Sequence, residues 1–175
     1  MREFRIAVFP GDGIGREVMP PCLALLDVVV KWAGGFTLRF EHHEAGAELY
    51  RTTGVALPEG AMQAAESADA ILLAAIGLPD VRYPNGTEIA PHLDFRDRFQ
   101  LYAGVRPFRL LAGAPTPLAD PRARDVDCVL VRESTEGLFA ARRLSRRDGD
   151  QAAYDTMAIT RRTSERLFSF AFELA

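Results

Sequence analysis

The strongest constraint on the fold is a pair of short apolar runs, residues 5–9 (RIAVF) and 69–76 (DAILLAAI), set apart by segments that read as helix, strand and helix. A continuous apolar run bounded by turn residues is the signature of a strand covered on both faces, as in parallel sheets. The first run ends at Pro10 and the glycine loop Gly11-Asp12-Gly13-Ile14-Gly15, after which residues 18–32 read as a largely apolar helix. Pro20 and Pro21 fall early in it, where proline is tolerated within the first turn or at a kink. Residues 36–44 partly alternate as a strand and residues 58–67 read as a helix. Strands separated by helices imply right-handed βαβ crossovers and an α/β sheet.

Residues 77–88 (GLPDVRYPNGTE) read as a loop leading into a short helix over 91–99. The texture changes after residue 100, which divides the chain into expected parts 1–100 and 101–175. In the second part, residues 126–132 (VDCVLVR) read as another buried strand and the Arg-rich, Gly-Asp stretch 138–154 as an exposed hairpin or arm. Residues 160–175 read as a helix with Thr160 as N-cap and Leu167, Phe168, Phe170, Ala171 and Leu174 at helical spacing. This helix closes on Phe-Glu-Leu-Ala with no glycine, proline or polar tail, the pattern expected of an interrupted chain rather than a natural terminus.

With 48% hydrophobic and 26% charged residues over 175 positions, the chain has apolar material for a real core, which excludes disorder, collagen and coiled coil. The 24 acids against 21 bases give a net charge of −3, so no global basic field draws in nucleic acid or an anionic membrane, and any anion site is local. Lys31 is the only lysine, a bias that a GC-rich genome would also produce, so a lysine general base is Lys31 or none within these residues. Cys22 and Cys128 match no metal-ligand spacing and read as buried free thiols of a reducing compartment. The N-terminus lacks a signal-peptide run and no stretch approaches 18 uninterrupted apolar residues, so the expected location is cytoplasmic.

Glycines after a first strand let backbone approach a phosphate, but Gly11, Gly13 and Gly15 make G-x-G-x-G without the third glycine of the dinucleotide fingerprint. Nucleotide contact and a purely structural turn both remain open at this loop. More informative are Arg96, Arg106 and Arg132, each at or just beyond the end of an expected element. A guanidinium fork binds carboxylate bidentately, and several forks on one pocket would hold a substrate with two or more carboxylates. Taken singly, each arginine reads more readily as a surface ion-pair partner.

Five ordered segments, FRIAVFPGDGIGREV, SADAILLAAIGLP, LDFRDRFQLYAGVRPF, VDCVLVRESTEGLF and ITRRTSERLFSFAFELA, resemble the β-decarboxylating dehydrogenases, the family of isopropylmalate, isocitrate and tartrate dehydrogenases. The resemblance covers essentially the whole chain. It implies a two-domain α/β architecture like that of isopropylmalate dehydrogenase, present here as its N-terminal portion and not a true Rossmann fold. Residues 1–100 would belong to the large cofactor-side domain, and residues 101–175 to the smaller domain with a dimer arm over about 137–156.

The same resemblance implies NAD-dependent oxidative decarboxylation of a 2-hydroxy dicarboxylic acid resembling 3-isopropylmalate, tartrate or malate, in a homodimer. Arg96, Arg106 and Arg132 match the family's substrate-carboxylate arginines. Ile14, Gly77, Thr87 and Glu88 fall on its cofactor-binding segments. Phe139 stands where the family has a catalytic tyrosine, seven residues after the third arginine, so the hydroxyl that assists protonation is absent; the alternative is that Phe139 is only a packing residue and the proton donor sits elsewhere. The Mg²⁺ or Mn²⁺ ligands and the general-base lysine would lie beyond residue 175. The alternative is a truncated, catalytically silent subunit or fragment that at most binds a dicarboxylate.

Overall fold

Strand β1 (Arg2–Phe9) is the middle strand of a three-stranded sheet and pairs in parallel with β2 (Phe36–His42) on one side and β3 (Ala70–Leu73) on the other. That central position explains its composition: Ala7, Val8 and Phe9 are all buried, and the Phe9 ring packs on Phe95 with centroids 4.9 Å apart. Helix α1 (Ile14–Ala33) joins β1 to β2, and α2 (Ala47–Thr53) and α3 (Glu59–Ser67) join β2 to β3. The α/β fold and parallel sheet expected from the sequence are therefore what the chain adopts. A computed structural model describes residues 1–139 and 145–175.

Three local expectations need correction. Helix α1 starts four residues before the expected position, because backbone bonds from Gly15 N to Asp12 O and from Arg16 N to Gly13 O close its first turn inside the glycine loop. Pro20 and Pro21 consequently sit in the second turn, where they remove the bonds that would reach the carbonyls of Arg16 and Glu17. The run 69–76 contributes only the four residues of β3, after which Ala74 N bonds Phe9 O and Ala75 O accepts from Asp12 N, so the segment lines the glycine loop. Helix α2, seven residues between Gly46 and Gly54, is too short to leave a periodic signal in the sequence.

The chain separates into two compact units, Met1–Phe95 and Arg96–Ala175. The break falls inside α4 (Pro91–Arg98). In the second unit β4 (Ala103–Arg109) and β5 (Asp127–Glu133) form an antiparallel pair, with a 3-10 turn over Pro121–Asp125 between them. The sequence did not reveal β4, because Arg106, Pro107 and Arg109 interrupt any apolar run. A two-stranded sheet leaves one side of each strand unpaired, where the missing proline N–H is tolerated.

Strand β5 is exposed along most of its length, not buried as expected, and Cys128 on it is exposed while Cys22 is half-buried. The helix over Arg161–Leu174 contacts β5, but the two-stranded sheet lacks the covering of both faces that a parallel sheet enjoys. A second pair, β6 (Arg146–Asp148) and β7 (Ala152–Tyr154), forms an antiparallel hairpin within the expected arm, of which residues 140–144 lie outside the described residues. Helix α5 (Arg161–Leu174) is capped as expected, the Thr160 hydroxyl accepting from Thr163 N at 3.3 Å. Among the described residues, no helix is long and apolar enough to cross a membrane.

Candidate functional site

Arg96 occupies the last turn of α4, and the way that turn ends fixes its backbone. Gln100 adopts a left-handed φ of 50°, Leu101 N donates to Arg96 O at 3.0 Å and Gln100 N to Asp97 O at 3.4 Å, the double bond pattern of a Schellman cap. Arg106 and Arg132 come from the sheet. Their register pairs Gly104 with Arg132 and Arg106 with Leu130, so strand alternation puts both arginines on one face, two residues out of step. Gly104 opposite Arg132 keeps that face clear: a Cβ there would lie 2.8 Å from Ser134 Oγ and 3.2 Å from Arg132 O.

The Phe139 ring joins this group, with the Arg96 Cζ 5.4 Å and the Arg132 Cζ 5.2 Å from its centroid. Burial, then the charges of Arg132 and Arg106, hold the Arg96 guanidinium below its ordinary range, so the three cations act on one another. Arg5, Arg16, Arg51, Arg82 and Arg122 each pair with a carboxylate. Among the described residues no carboxylate pairs with Arg96, Arg106 or Arg132. Three converging, unneutralised forks suit an anion bearing more than one carboxylate. Beside Arg132 opens a groove of about 620 Å³, walled by Phe139, Ile159, Leu167 and Phe168.

Two glutamates that the sequence reading passed over build the turn carrying Phe139. Glu133 accepts from Thr135 N at 2.7 Å, Thr135 Oγ1 at 2.6 Å and Glu136 N at 2.7 Å. Glu136 then accepts from Thr160 N, Thr160 Oγ1 and Thr163 Oγ1, each at 2.7 Å, at the start of α5 where a helix favours negative charge. Desolvation is the largest single influence on Glu136 and raises its pKa. The Thr160 N–H, the Thr163 and Thr160 hydroxyls and the Arg162 charge together outweigh it and hold the carboxyl below its usual range.

In the first unit, a cleft of about 260 Å³ is lined by residues that include Gly77, Leu78, Arg82, Glu88 and His92. Residues 82–88 form a small hairpin, with Tyr83 N bonded to Thr87 O and Gly86 N to Tyr83 O. Glu88 pairs with Arg82 at 3.2 Å, and the Thr87 hydroxyl donates to Asn85 Oδ1 at 2.7 Å. Of the four residues expected at the cofactor, Gly77 and Glu88 line this cleft, while Ile14 is exposed on the first turn of α1. The volume is below the range typical of pockets that enclose a drug-sized ligand.

The glycine loop itself is organised around Asp12, which is 2% exposed. Its carboxylate accepts from Ala47 N at 2.8 Å, Glu48 N at 2.9 Å and Gly77 N at 2.8 Å, tying the loop to α2 and to the edge of the cleft. The glycines make this possible: a Cβ on Gly11 would lie 2.1 Å from Ala75 O, one on Gly15 2.3 Å from Pro10 O, and one on Gly46 2.4 Å from Asp12 Oδ2. Close backbone packing thus explains Gly11 and Gly15, and a left-handed φ of 49° explains Gly13. An aspartate between glycines was the one available signal for this hub. Among the described residues no group of three or more His, Cys, Asp or Glu side chains gathers as a metal-binding set, so these residues do not by themselves fit a divalent ion.

A family model described as isocitrate/isopropylmalate dehydrogenase matches residues 5–175. The chain is 36% identical to D-malate dehydrogenase [decarboxylating] of Escherichia coli K12, the match covering 100% of the chain and 49% of the relative. It is also 36% identical to a 3-isopropylmalate dehydrogenase of Staphylococcus aureus strain Mu50, over 98% of the chain and 49% of the relative. Among solved structures, isocitrate dehydrogenase from Methylococcus capsulatus superposes with a TM-score of 0.78 at 26% identity, covering 100% of this chain and 48% of that one. A β-decarboxylating dehydrogenase from Thermococcus kodakarensis in its apo form gives a TM-score of 0.66 at 29% identity, covering 97% and 45%. The chain spans about half the length of the curated relatives it matches.

Proposed function

The chain belongs to the isocitrate/isopropylmalate dehydrogenase family, and from that premise we propose that it is the substrate-anchoring part of an NAD-dependent enzyme that oxidises and decarboxylates a 2-hydroxy dicarboxylic acid. The observation that carries this reading is the convergence of Arg96, Arg106 and Arg132 with no carboxylate partner among the described residues. Their forks would hold the two carboxylates of the substrate and fix the reacting carbon, which is where positioning contributes most to rate. NAD, when bound, would accept the hydride, and Gly77, Thr87 and Glu88 are the residues of this chain proposed to lie along its nicotinamide end, with Ile14 near its adenine. The metal ligands are assigned outside these residues, and no step is derived through the ion.

Phe139 brings no hydroxyl to the site, so proton delivery to the product side of the reaction falls to another donor such as a water. The exposed hairpin of β6 and β7 is proposed as part of the arm through which a second copy pairs. The test is kinetic. In the complete gene product, assayed with a panel of 2-hydroxy dicarboxylates and NAD, Arg106→Ala or Arg132→Ala should lower kcat/KM by the equivalent of about 2–4 kcal/mol, the scale of losing a charge-assisted bidentate contact. Unchanged kcat/KM in both variants would return these arginines to ordinary surface positions.

A further inference from the structure

We propose that Phe139 is a positioning residue whose ring seats the Arg96 and Arg132 guanidiniums side by side, so that the carboxylate site stands assembled before its ligand arrives. The inference rests on the carboxylate-binding reading above and goes beyond it, because it assigns the phenyl ring a task of its own. Two cations share this one ring at 5.4 and 5.2 Å, within the distance at which an aromatic face attracts a guanidinium. Without a carboxylate among the described residues to neutralise them, repulsion would drive these long side chains apart. The ring face supplies the missing negative electrostatic surface without occupying the hydrogen-bond donors, which stay available for a carboxylate.

The seat is itself fixed. The turn that bears Phe139 is held by the three bonds into Glu136 from Thr160 and Thr163 and the three into Glu133, and Phe139 N bonds Glu136 O at 3.3 Å. Arg96 reaches the ring from a capped helix end and Arg132 from a paired strand, so both approach from rigid backbone. A packing role alone would be served as well by leucine. A cation seat would not.

The experiment uses the complete gene product, with malonate as the dicarboxylate probe and arginine Nε–Hε resonances as the structural readout. In the wild type, the Arg96 and Arg132 Hε signals should lie upfield from ring-current shielding and be assigned by their loss in Arg96→Lys and Arg132→Lys. Phe139→Leu should return both to ordinary positions and weaken malonate binding about three- to tenfold, while Phe139→Tyr and Phe139→Trp, which keep a ring face, should retain shifts and affinity. Melting curves show that each variant remains folded. Wild-type malonate binding with the same affinity and shifts in Phe139→Leu would overturn the seat and leave the carboxylate reading intact. No malonate binding by the wild type would overturn the carboxylate reading, and the seat with it.

Discussion

The two units treat charge in opposite ways. Met1–Phe95 contains 7 basic and 13 acidic residues, net −6, and its most buried carboxylate, Asp12, is satisfied by three backbone N–H groups. Arg96–Ala175 contains 14 basic and 11 acidic residues, net +3, and leaves three arginines facing one another without a partner among the described residues. A buried charge with every hydrogen bond filled holds structure together. A cluster of like charges held by other means has nothing to stabilise until an oppositely charged ligand binds.

The first way to break this comparison is to truncate a buried aromatic residue of the first unit and an exposed one of the second. Phe9→Ala, at a fully buried residue of the central strand, should destabilise the chain by about 3–5 kcal/mol in denaturant unfolding. Phe172→Ala, on the 84% exposed face of α5, should stay within about 0.5 kcal/mol. Equal losses would mean that the second unit depends on its aromatic residues as the first does.

The charged groups sharpen the contrast at a smaller scale. Asp12→Asn replaces one acceptor oxygen with a donor that faces N–H groups, and should lose about 2–3 kcal/mol of stability, measured by the same unfolding experiment. If this substitution proved neutral, the glycine loop would not be organised around its carboxylate.

A pH dependence makes the smallest and most local distinction. The Glu136 carboxyl is lowered in the folded chain from an ordinary value of 4.5, so its contribution to stability is fully present above that value and lost as pH falls through the depressed folded value. Glu136→Gln should flatten the acid limb of stability below about pH 4.5 relative to wild type, when melting temperature is followed against pH. Identical acid limbs would remove Glu136 from the anchoring of α5.

Much of the first unit was legible because the buried end of β1 leaves a continuous apolar run and most of its helices are long or turn-bounded, although β2 and β3, the outer strands, are only half-buried or exposed. The apolar runs at β1 and β3, the start of β2, helix α3 and the helix after Pro91 all lie where periodicity and punctuation place them. Strand β4 and helix α2 were not legible, the one because charges and a proline break its pattern and the other because seven residues carry too little periodicity. At the candidate site, spacing and motif singled out Arg96, Arg106 and Arg132, while Glu133 and Glu136 looked like ordinary surface acids. Their role arises from contacts reaching as far as 27 residues along the chain, as between Thr163 and Glu136.

Local residue chemistry therefore determined the α/β order and the capping of α5 by Thr160, because each depends on residue type over a few neighbouring positions, while Arg96, Arg106 and Arg132 were singled out as candidates by the motifs around them. Only the tertiary structure decided that Asp12 is a hub, since its three donors lie 35 to 65 residues away. It likewise decided that Arg96 and Arg132 share the Phe139 ring and that Arg106 lies on the same sheet face as Arg132, because these follow from the register of an antiparallel pair and the end of a helix. Neither register nor helix-end geometry is written in any single stretch of sequence.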